Sequence, residues 1–160
     1  MHIRKISPED IPWVETTLCE HFGSSRVVSR GVLHDSAELP GLIVEDEAGR
    51  IGLLQFRINN DECEIINLIS LKRRQGVGTR LLKAVEDLSA EAGCKRLWLI
   101  TTNNNDEAIT FYRTVGWKEV AIHKGAVTES RKLKPEIPLQ DERGVPIEDE
   151  IEFEWDLKSG

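Results

Sequence analysis

The sequence predicts an α+β fold, in which a mixed β-sheet carries helices on its faces. Two stretches with helical periodicity, 77–88 and 105–115, each stand between short apolar runs of strand length. A run rich in β-branched residues at 63–71 is typical of a buried strand. Strict alternation of apolar and acidic residues at 150–157 indicates a strand with one buried face. These patterns together favour one sheet with helical layers.

The N-terminal half is expected to begin with a short strand and a helix. Ser7 is placed as the helix N-cap, with Pro8 at the first helical position and acids in the first turn. The glycines and serines between 23 and 31 predict a loop. Two strands joined by a turn then cover 41–58, before the buried strand at 63–71.

The C-terminal half alternates helices and strands. A first helix ends at Gly93, and its apolar stripe consists of Val77, Leu81, Leu82, Val85 and Leu88. A strand at 95–102 precedes a second helix, with Asn105 as N-cap and Gly116 after its end. A strand at 117–123 and the last strand complete the predicted order βαβββαβαββ.

Two C-terminal features carry their own expectations. The acidic residues of the last strand, Glu150 to Asp156, are expected to form a solvated face rather than a binding surface. The segment 124–149 contains three prolines and is interpreted as an ordered excursion, because its apolar residues need burial: Leu133, Ile137, Leu139 and Ile147.

Composition narrows the class of protein. The 160 residues are 39% hydrophobic and carry a net charge of −7, which favours a single domain over 1–160 and argues against nucleic-acid binding. No apolar stretch is long enough to predict a membrane span. Three scattered cysteines, Cys19, Cys63 and Cys94, indicate neither a disulfide framework nor a metal site. A cytoplasmic location without a metal is therefore expected.

The stretch 70–88 combines basic residues and glycines at the start of a helix, which is typical of a phosphate site. A P-loop is excluded because the chain has no Gly-Lys-Ser or Gly-Lys-Thr sequence. A dinucleotide fingerprint fails because Leu81 stands where its third glycine is required. The remaining pattern, [QR]-x-x-G-x-[GA], is met by Arg73 to Gly78.

A second motif stands 27 residues after Gly78: Asn105-x-x-Ala-x-x-Phe-Tyr112-x-x-x-Gly-Trp117. The two motifs, separated by one strand, resemble the GCN5-related N-acetyltransferase (GNAT) superfamily over about 64–117. The resemblance implies a three-layer α/β/α fold with a mostly antiparallel sheet of about six to seven strands. It departs from the family pattern at Arg74, where glycine is frequent, at Ser70 and at Trp117.

The resemblance also implies acetyl-CoA as co-substrate and an N-acetyltransferase that moves its acetyl group to a primary amine by direct attack. Backbone groups of one strand would meet the acyl-pantetheine, the glycine loop would bind the pyrophosphate, and an asparagine would lie near the pantetheine. In this sequence the expected contacts are Ile66, Asn67, Leu68, Arg73, Arg74, Gln75, Gly76, Val77, Gly78, Thr79 and Asn105.

Glu64 is the expected general base, because one branch of the family carries its base glutamate at the matching position. Four strand residues separate it from Leu68, roughly 13 Å, so it would act through water. A plain strand-end carboxylate in solvent is the open alternative. Tyr112 is the expected acid, or a hydrogen-bond donor to the leaving sulfur, with a buried packing role as its alternative.

The acceptor side is expected in the loop after the first helix and at the mouth of the excursion. Candidate substrate contacts are Arg30, His34, His123, Glu129 and Arg131. The excursion is hypothesised to cover the acceptor pocket. A non-catalytic acyl-CoA-binding regulatory module is the alternative function. The expected partner is an amine substrate, and neither nucleic acid nor a membrane is expected. The protein is expected to be a monomer or a homodimer.

Overall fold

A computed structural model describes residues 1–157 and contains nine strands and four α-helices in that part of the chain. The strands are β1 (His2–Lys5), β2 (Arg26–Ser29), β3 (Val32–Asp35), β4 (Gly41–Asp46), β5 (Gly49–Asn59), β6 (Glu62–Ser70), β7 (Arg96–Thr102), β8 (Lys118–His123) and β9 (Glu150–Asp156). The helices are α1 (Ile11–Phe22), α2 (Val77–Glu91), α3 (Asp106–Thr114) and α4 (Ala126–Leu133). None of these helices is long and apolar enough to cross a membrane.

Seven strands form one sheet in the order β1-β4-β5-β6-β7-β9-β8. Every neighbouring pair is antiparallel except β6 and β7, which run parallel and are connected by α2. The predicted mixed, mostly antiparallel sheet of six to seven strands is therefore confirmed.

Helices pack on both faces of this sheet, so the fold has the predicted three layers. On one face, α2 and α3 cover the larger apolar core, where Leu81, Val85 and Phe153 are fully buried. On the other face, Val14 and Leu18 of α1 pack against a smaller cluster of Ile43, Leu53 and Ile69. Truncating one of these buried leucines to alanine would cost about 2–5 kcal/mol.

The predicted loop between α1 and β4 is instead largely a hairpin. Strands β2 and β3 pair from Arg26–Asp35 to Ser29–Val32, and the two residues between them are Arg30 and Gly31. Both have positive φ, 47° and 77°, as a tight turn between twisted strands requires. Valine-rich runs on either side of an Arg-Gly pair were the signal that the loop interpretation overlooked.

The first helix starts later than predicted. Pro8–Asp10 forms a single 3-10 turn, with Ser7 at its N-cap, and α1 begins at Ile11. The carboxyl group of Asp10 is buried and accepts hydrogen bonds from Arg4 at 2.7 Å and from Arg50 at 3.0 Å. The bond from Arg4 outweighs the effect of burial and holds the Asp10 pKa far below its ordinary value. This ion-pair network anchors α1 to the sheet edge.

The excursion 124–149 contains α4, followed by a hydrogen-bonded loop. Asn103, just after β7, accepts from the backbone N–H groups of Glu148 and Asp149 at 2.9 and 3.0 Å. The apolar residues of the excursion are less buried than expected: Leu133 and Leu139 are 44% and 75% exposed. Polar contacts, rather than these two leucines, hold the segment in place.

The last strand shows the predicted alternation, with Ile151 and Phe153 buried on the α2 side. Its acidic face is not uniformly solvated, however. Glu150 is only 2% exposed, and Glu152 and Glu154 both accept hydrogen bonds from Arg96 of β7. The expectation of a solvent face was wrong at Glu150, because β2–β3 and α4 cover that end of the strand.

Candidate active site

A cleft opens where β6 and β7 separate. Their parallel ladder joins Glu62–Ile65 to Arg96–Leu99 and stops there, so the later residues of the two strands do not pair with each other. The register with β5 shifts at the same level, which makes Ile66 an extra residue, or bulge, in β6. The backbone at Ile66 to Leu68 therefore borders a gap in the sheet, where an extended ligand can bind.

The loop 73–78 leads from β6 into α2 and is suited to bind a diphosphate. Arg74 and Gly76 both have positive φ, 61° and 73°, and turn conformations of this kind form the concave arrangements of N–H groups that bind anions. The first helical hydrogen bond runs from Arg80 N–H to the Gly76 carbonyl, which leaves the N–H groups of 77–79 without a helical acceptor. Unpaired donors next to exposed arginines attract an anion.

The two glycines of this loop serve different purposes. A Cβ at Gly76 would meet no atom within 4 Å, so the space above it is open to a ligand. A Cβ at Gly78 would lie 3.2 Å from the Phe111 ring, so Gly78 allows α2 and α3 to pack closely. Arg74 occupies the left-handed conformation that glycine favours. A glycine, which the resemblance leads one to expect at this position, would adopt this conformation without strain.

Asn105 and Tyr112 both belong to α3. Asn105 is the N-cap: its side-chain oxygen accepts from Ala108 N–H at 3.2 Å, and its side-chain nitrogen has no partner among residues 1–157. Tyr112 packs against Phe111, Trp117 and Phe153, with ring centroids 5.4 to 5.7 Å apart. Burial raises its pKa well above the ordinary tyrosine value, so the hydroxyl remains a proton donor.

Glu64 lies on β6, two residues before the bulge, and is only 6% exposed. Its Oε2 accepts a hydrogen bond of 2.5 Å from the Ser29 hydroxyl. Burial raises the Glu64 pKa; the bond from Ser29 and the charge of Arg57 oppose this rise. The side chain also lines a cavity of about 170 Å³ with Arg57 and Trp98. This surrounding differs from that of a strand-end carboxylate in solvent.

A second cavity, of about 490 Å³, lies beside β8 and the start of α4. Three of the predicted acceptor residues line it, Arg30, His123 and Glu129, together with the buried Glu150. Arg30 forms an ion pair with Glu150 at 3.2 Å. His123 bonds to Glu152 at 2.8 Å. Burial favours the neutral acid at Glu152, but the bonds from His123 and Arg96 outweigh it and keep its pKa low.

The other two predicted acceptor residues lie elsewhere. His34 lines a separate cavity with Phe56 and Arg57, where burial lowers its pKa. The Arg131 guanidinium donates to three backbone carbonyls of its own segment, including that of Ile147 at 2.7 Å. Arg131 therefore shapes the excursion, and it does not line the cavity of Arg30, His123 and Glu129.

Sequence reasoning missed Ser29, Arg57 and Glu150 at this site. Ser29 and Arg57 stand in strands without any motif, and Glu150 looked like one member of an acidic run. The fold connects them with Glu64: the Ser29 hydroxyl donates to it, Arg57 is its register partner in β5, and the charge of Glu150 acts on it. Within residues 1–157, no cluster of His, Cys, Asp and Glu side chains is arranged to hold a metal ion.

The chain is similar to known sequences. Residues 8–117 match the model of the acetyltransferase (GNAT) family. The chain is also 40% identical over 135 residues to the uncharacterized protein YdhI of Bacillus subtilis (strain 168), a match that covers 84% of each protein.

Solved structures share the fold. An IAA acetyltransferase from Bacillus cereus ATCC 14579 superposes with a TM-score of 0.72 at 18% identity, covering 97% of this chain and 98% of that one. A candidate streptothricin acetyltransferase from Bacillus anthracis (strain Ames), in complex with acetyl coenzyme A, superposes with a TM-score of 0.60 at 20% identity. That match covers 74% of this chain and 62% of the other.

Proposed function

We propose that this chain, which belongs to the acetyltransferase (GNAT) family, transfers the acetyl group of acetyl-CoA to a primary amine by direct attack of the amine. The observation that carries this proposal is the position of a buried carboxyl group, Glu64, on the strand that borders the cleft next to the anion-binding loop. A base on one side of the gap and a diphosphate site on the other form an arrangement that suits acyl transfer from a CoA thioester.

The residues around the cleft fit acetyl-CoA. The N–H groups of the loop 73–78 and the first turn of α2, with the exposed hydroxyl of Thr79, would hold the pyrophosphate. The backbone of Ile66 to Leu68 would pair with the pantetheine, and the free side-chain nitrogen of Asn105 would donate to it. When bound there, acetyl-CoA supplies the acetyl group as an activated thioester.

Glu64 would take the proton from the amine. An alkylamine with a pKa near 10.4 is neutral in only about one molecule in a few thousand at pH 7, so a base that accepts the ammonium proton before the nitrogen attacks the thioester lowers the barrier. A carboxyl group whose pKa is raised by burial is a stronger base than an exposed glutamate. Water in the adjoining cavity would connect Glu64 to the amine.

Tyr112 would donate a hydrogen bond to the sulfur of the leaving thiolate rather than transfer its proton completely. Its pKa is raised by burial, and a thiol has a pKa of only about 8.5, so full transfer to the thiolate is uphill by more than about 2 kcal/mol. A hydrogen bond that strengthens as negative charge develops on sulfur still lowers the barrier.

The acceptor amine would enter through the cavity lined by Arg30, His123 and Glu129, which places the start of α4 at its mouth. The excursion would then contribute Glu129, but not Arg131, to amine selection. A non-catalytic acyl-CoA-binding module is the less favoured function, since it would need neither Glu64 nor Tyr112, and the family match lends it no support.

Two measurements test this function. Acetyl-CoA and CoA are expected to raise the melting temperature, at a hundred times Kd by the equivalent of about 2.7 kcal/mol, whereas ATP and NAD leave it unchanged. Thiol release is then followed with a panel of amines: spermidine, L-lysine, tyramine, kanamycin and a tetrapeptide with a free N-terminal alanine. CoA stabilisation without acceptor-dependent thiol release from any amine would favour the non-catalytic module.

A further inference from the structure

The turn of the β2–β3 hairpin rests on two buried glutamates of the main sheet. The Ser29 hydroxyl donates to Glu64 at 2.5 Å. The next residue, Arg30, donates to Glu150 from its backbone N–H at 3.4 Å and from its guanidinium at 3.2 Å. Ser29, Glu64 and Glu150 are 5%, 6% and 2% exposed. The hairpin is therefore tied to the sheet at the carboxyl group that we assign as the base.

Ser29 differs from the other buried serines of residues 1–157. The hydroxyls of Ser89 and Ser130 donate to helical carbonyls four residues earlier, which is an ordinary local arrangement. The hydroxyl of Ser36 has no partner. Among these four buried serines only Ser29 donates its hydroxyl to a carboxylate, and that carboxylate lies 35 residues away in the chain.

The Ser29–Glu64 hydrogen bond also affects the ionisation of the Glu64 carboxyl group, which several other groups influence as well. Arg57 faces it from β5 and favours the ionised form, whereas Glu150 and Glu152 of β9 favour the neutral form. On its own strand, Glu62 is paired with Arg96 of β7 at 3.3 Å. Burial opposes ionisation most strongly, and the Ser29 hydroxyl acts against burial by donating to the ionised carboxylate.

We propose that Ser29 is a positioning residue for Glu64. Its hydroxyl holds Oε2 in place, favours the ionised form of the carboxyl group and leaves Oε1 to receive the proton of the amine. Within residues 1–157, Oε1 accepts no hydrogen bond, as this division of tasks requires. The proposal rests on the proposed function, in which Glu64 is the base. It gives the β2–β3 hairpin, which contains no recognised motif, control over the pH range in which Glu64 can accept a proton.

The test follows the Glu64 carboxyl group directly by 13C NMR, in protein labelled at glutamate side chains and titrated with pH. The resonance is assigned by its loss in Glu64→Gln. In Ser29→Ala, the Glu64 pKa is expected to rise by about one unit, because the ionised form loses its nearest donor. Ser29→Thr, which keeps a hydroxyl, is expected to restore the wild-type value. Ser36→Ala is the matched control, since it removes a buried hydroxyl without a partner.

Activity provides a second measurement, with the amine of the panel that gives the highest turnover. The acid limb of the kcat/KM profile is expected to move up by the same amount in Ser29→Ala, while CoA stabilisation stays unchanged. An unchanged Glu64 pKa in a folded Ser29→Ala protein would overturn the proposal. So would a loss of activity by the same factor at every pH, which is the signature of a purely structural serine.

A failure of the proposal for Ser29 can be distinguished from a failure of the proposed function. The NMR titration needs no acceptor, so it tests the contact between Ser29 and Glu64 even if every amine of the panel is inactive. A fully active Glu64→Gln protein, by contrast, would contradict Glu64 as the base and with it the proposed mechanism. It would equally overturn a positioning role for Ser29 in catalysis.

Discussion

The loop 73–78 consists of six consecutive residues, and all but Val77 and the half-buried Gly78 are exposed. The region around Glu64 is built in the opposite way: Ser29, Arg57, Glu64 and Glu150 come from four different strands, and three of them are buried. The proposed diphosphate site of the loop would use backbone N–H groups whose direction is set by the loop's own conformation, whereas the surroundings of Glu64 depend on contacts between distant segments. Binding of the acyl donor and activation of the acceptor should therefore respond separately to mutation.

The largest expected effect is in the loop. Gly76→Asp should abolish stabilisation by CoA, a loss of about 2.7 kcal/mol at a hundred times the wild-type Kd. The new carboxylate would stand at the start of α2, where we propose that the diphosphate binds, in a backbone conformation with φ of 73° that is strained for a side chain. Thermal shift with and without CoA measures the effect.

Gly93→Asp is the matched control for this prediction. Gly93 follows the other end of the same helix, has φ of 84°, and would also place its Cβ in open space. The control protein is expected to lose some stability through the same backbone strain but to keep its full response to CoA. If CoA stabilised the Gly76→Asp protein as much as the Gly93→Asp protein, the diphosphate would have to bind elsewhere.

The next effect is on acceptor activation. Glu64→Gln should lower kcat/KM by about 100-fold near pH 7 and recover in part at high pH, where the amine loses its proton unaided. CoA stabilisation should remain, because the substitution lies outside the loop. A pH profile with the wild-type shape would remove Glu64 from the role of base.

The same substitution should stabilise the folded protein at neutral pH. Because the native pKa of Glu64 is raised, this residue stabilises the fold only below the unfolded value of about 4.5, and the contribution is lost as the pH rises through the native pKa. Glu64→Gln should thus raise Tm at pH 7 but not at pH 4. Opposite changes in stability and activity would mark Glu64 as a functional residue rather than a structural one.

The smallest expected effect is at Tyr112. Tyr112→Phe should lower kcat by about 10-fold and leave CoA stabilisation unchanged, because the ring contacts with Trp117 and Phe153 remain and only the hydroxyl is lost. Steady-state kinetics at saturating acetyl-CoA measures this change. Unchanged turnover would reduce Tyr112 to a packing residue of the core.

Predictions from sequence succeeded where neighbouring residues decide the structure. The apolar stripe of α2, its end at Gly93 with φ of 84°, and the Asn105 cap bonded to Ala108 all follow from local rules. The hairpin turn at Arg30 and Gly31 was equally local and could have been predicted. The burial of Glu150 could not have been predicted. The alternation in β9 shows that the Glu150 side chain lies on the face opposite the apolar one, but it does not show what covers that face.

The order of the elements around the cleft, the glycine loop at 73–78 and the family of the chain could all be predicted from the sequence alone. These depend on periodicity, glycine positions and motif spacing, which act over a few residues. The contacts of the β2–β3 hairpin with Glu64 and Glu150 follow only from the tertiary structure, because Ser29 is 35 residues away from Glu64 and Arg30 is 120 residues away from Glu150. Burial makes these contacts strong, and burial is a property of the assembled sheet, hairpin and α4 rather than of any segment.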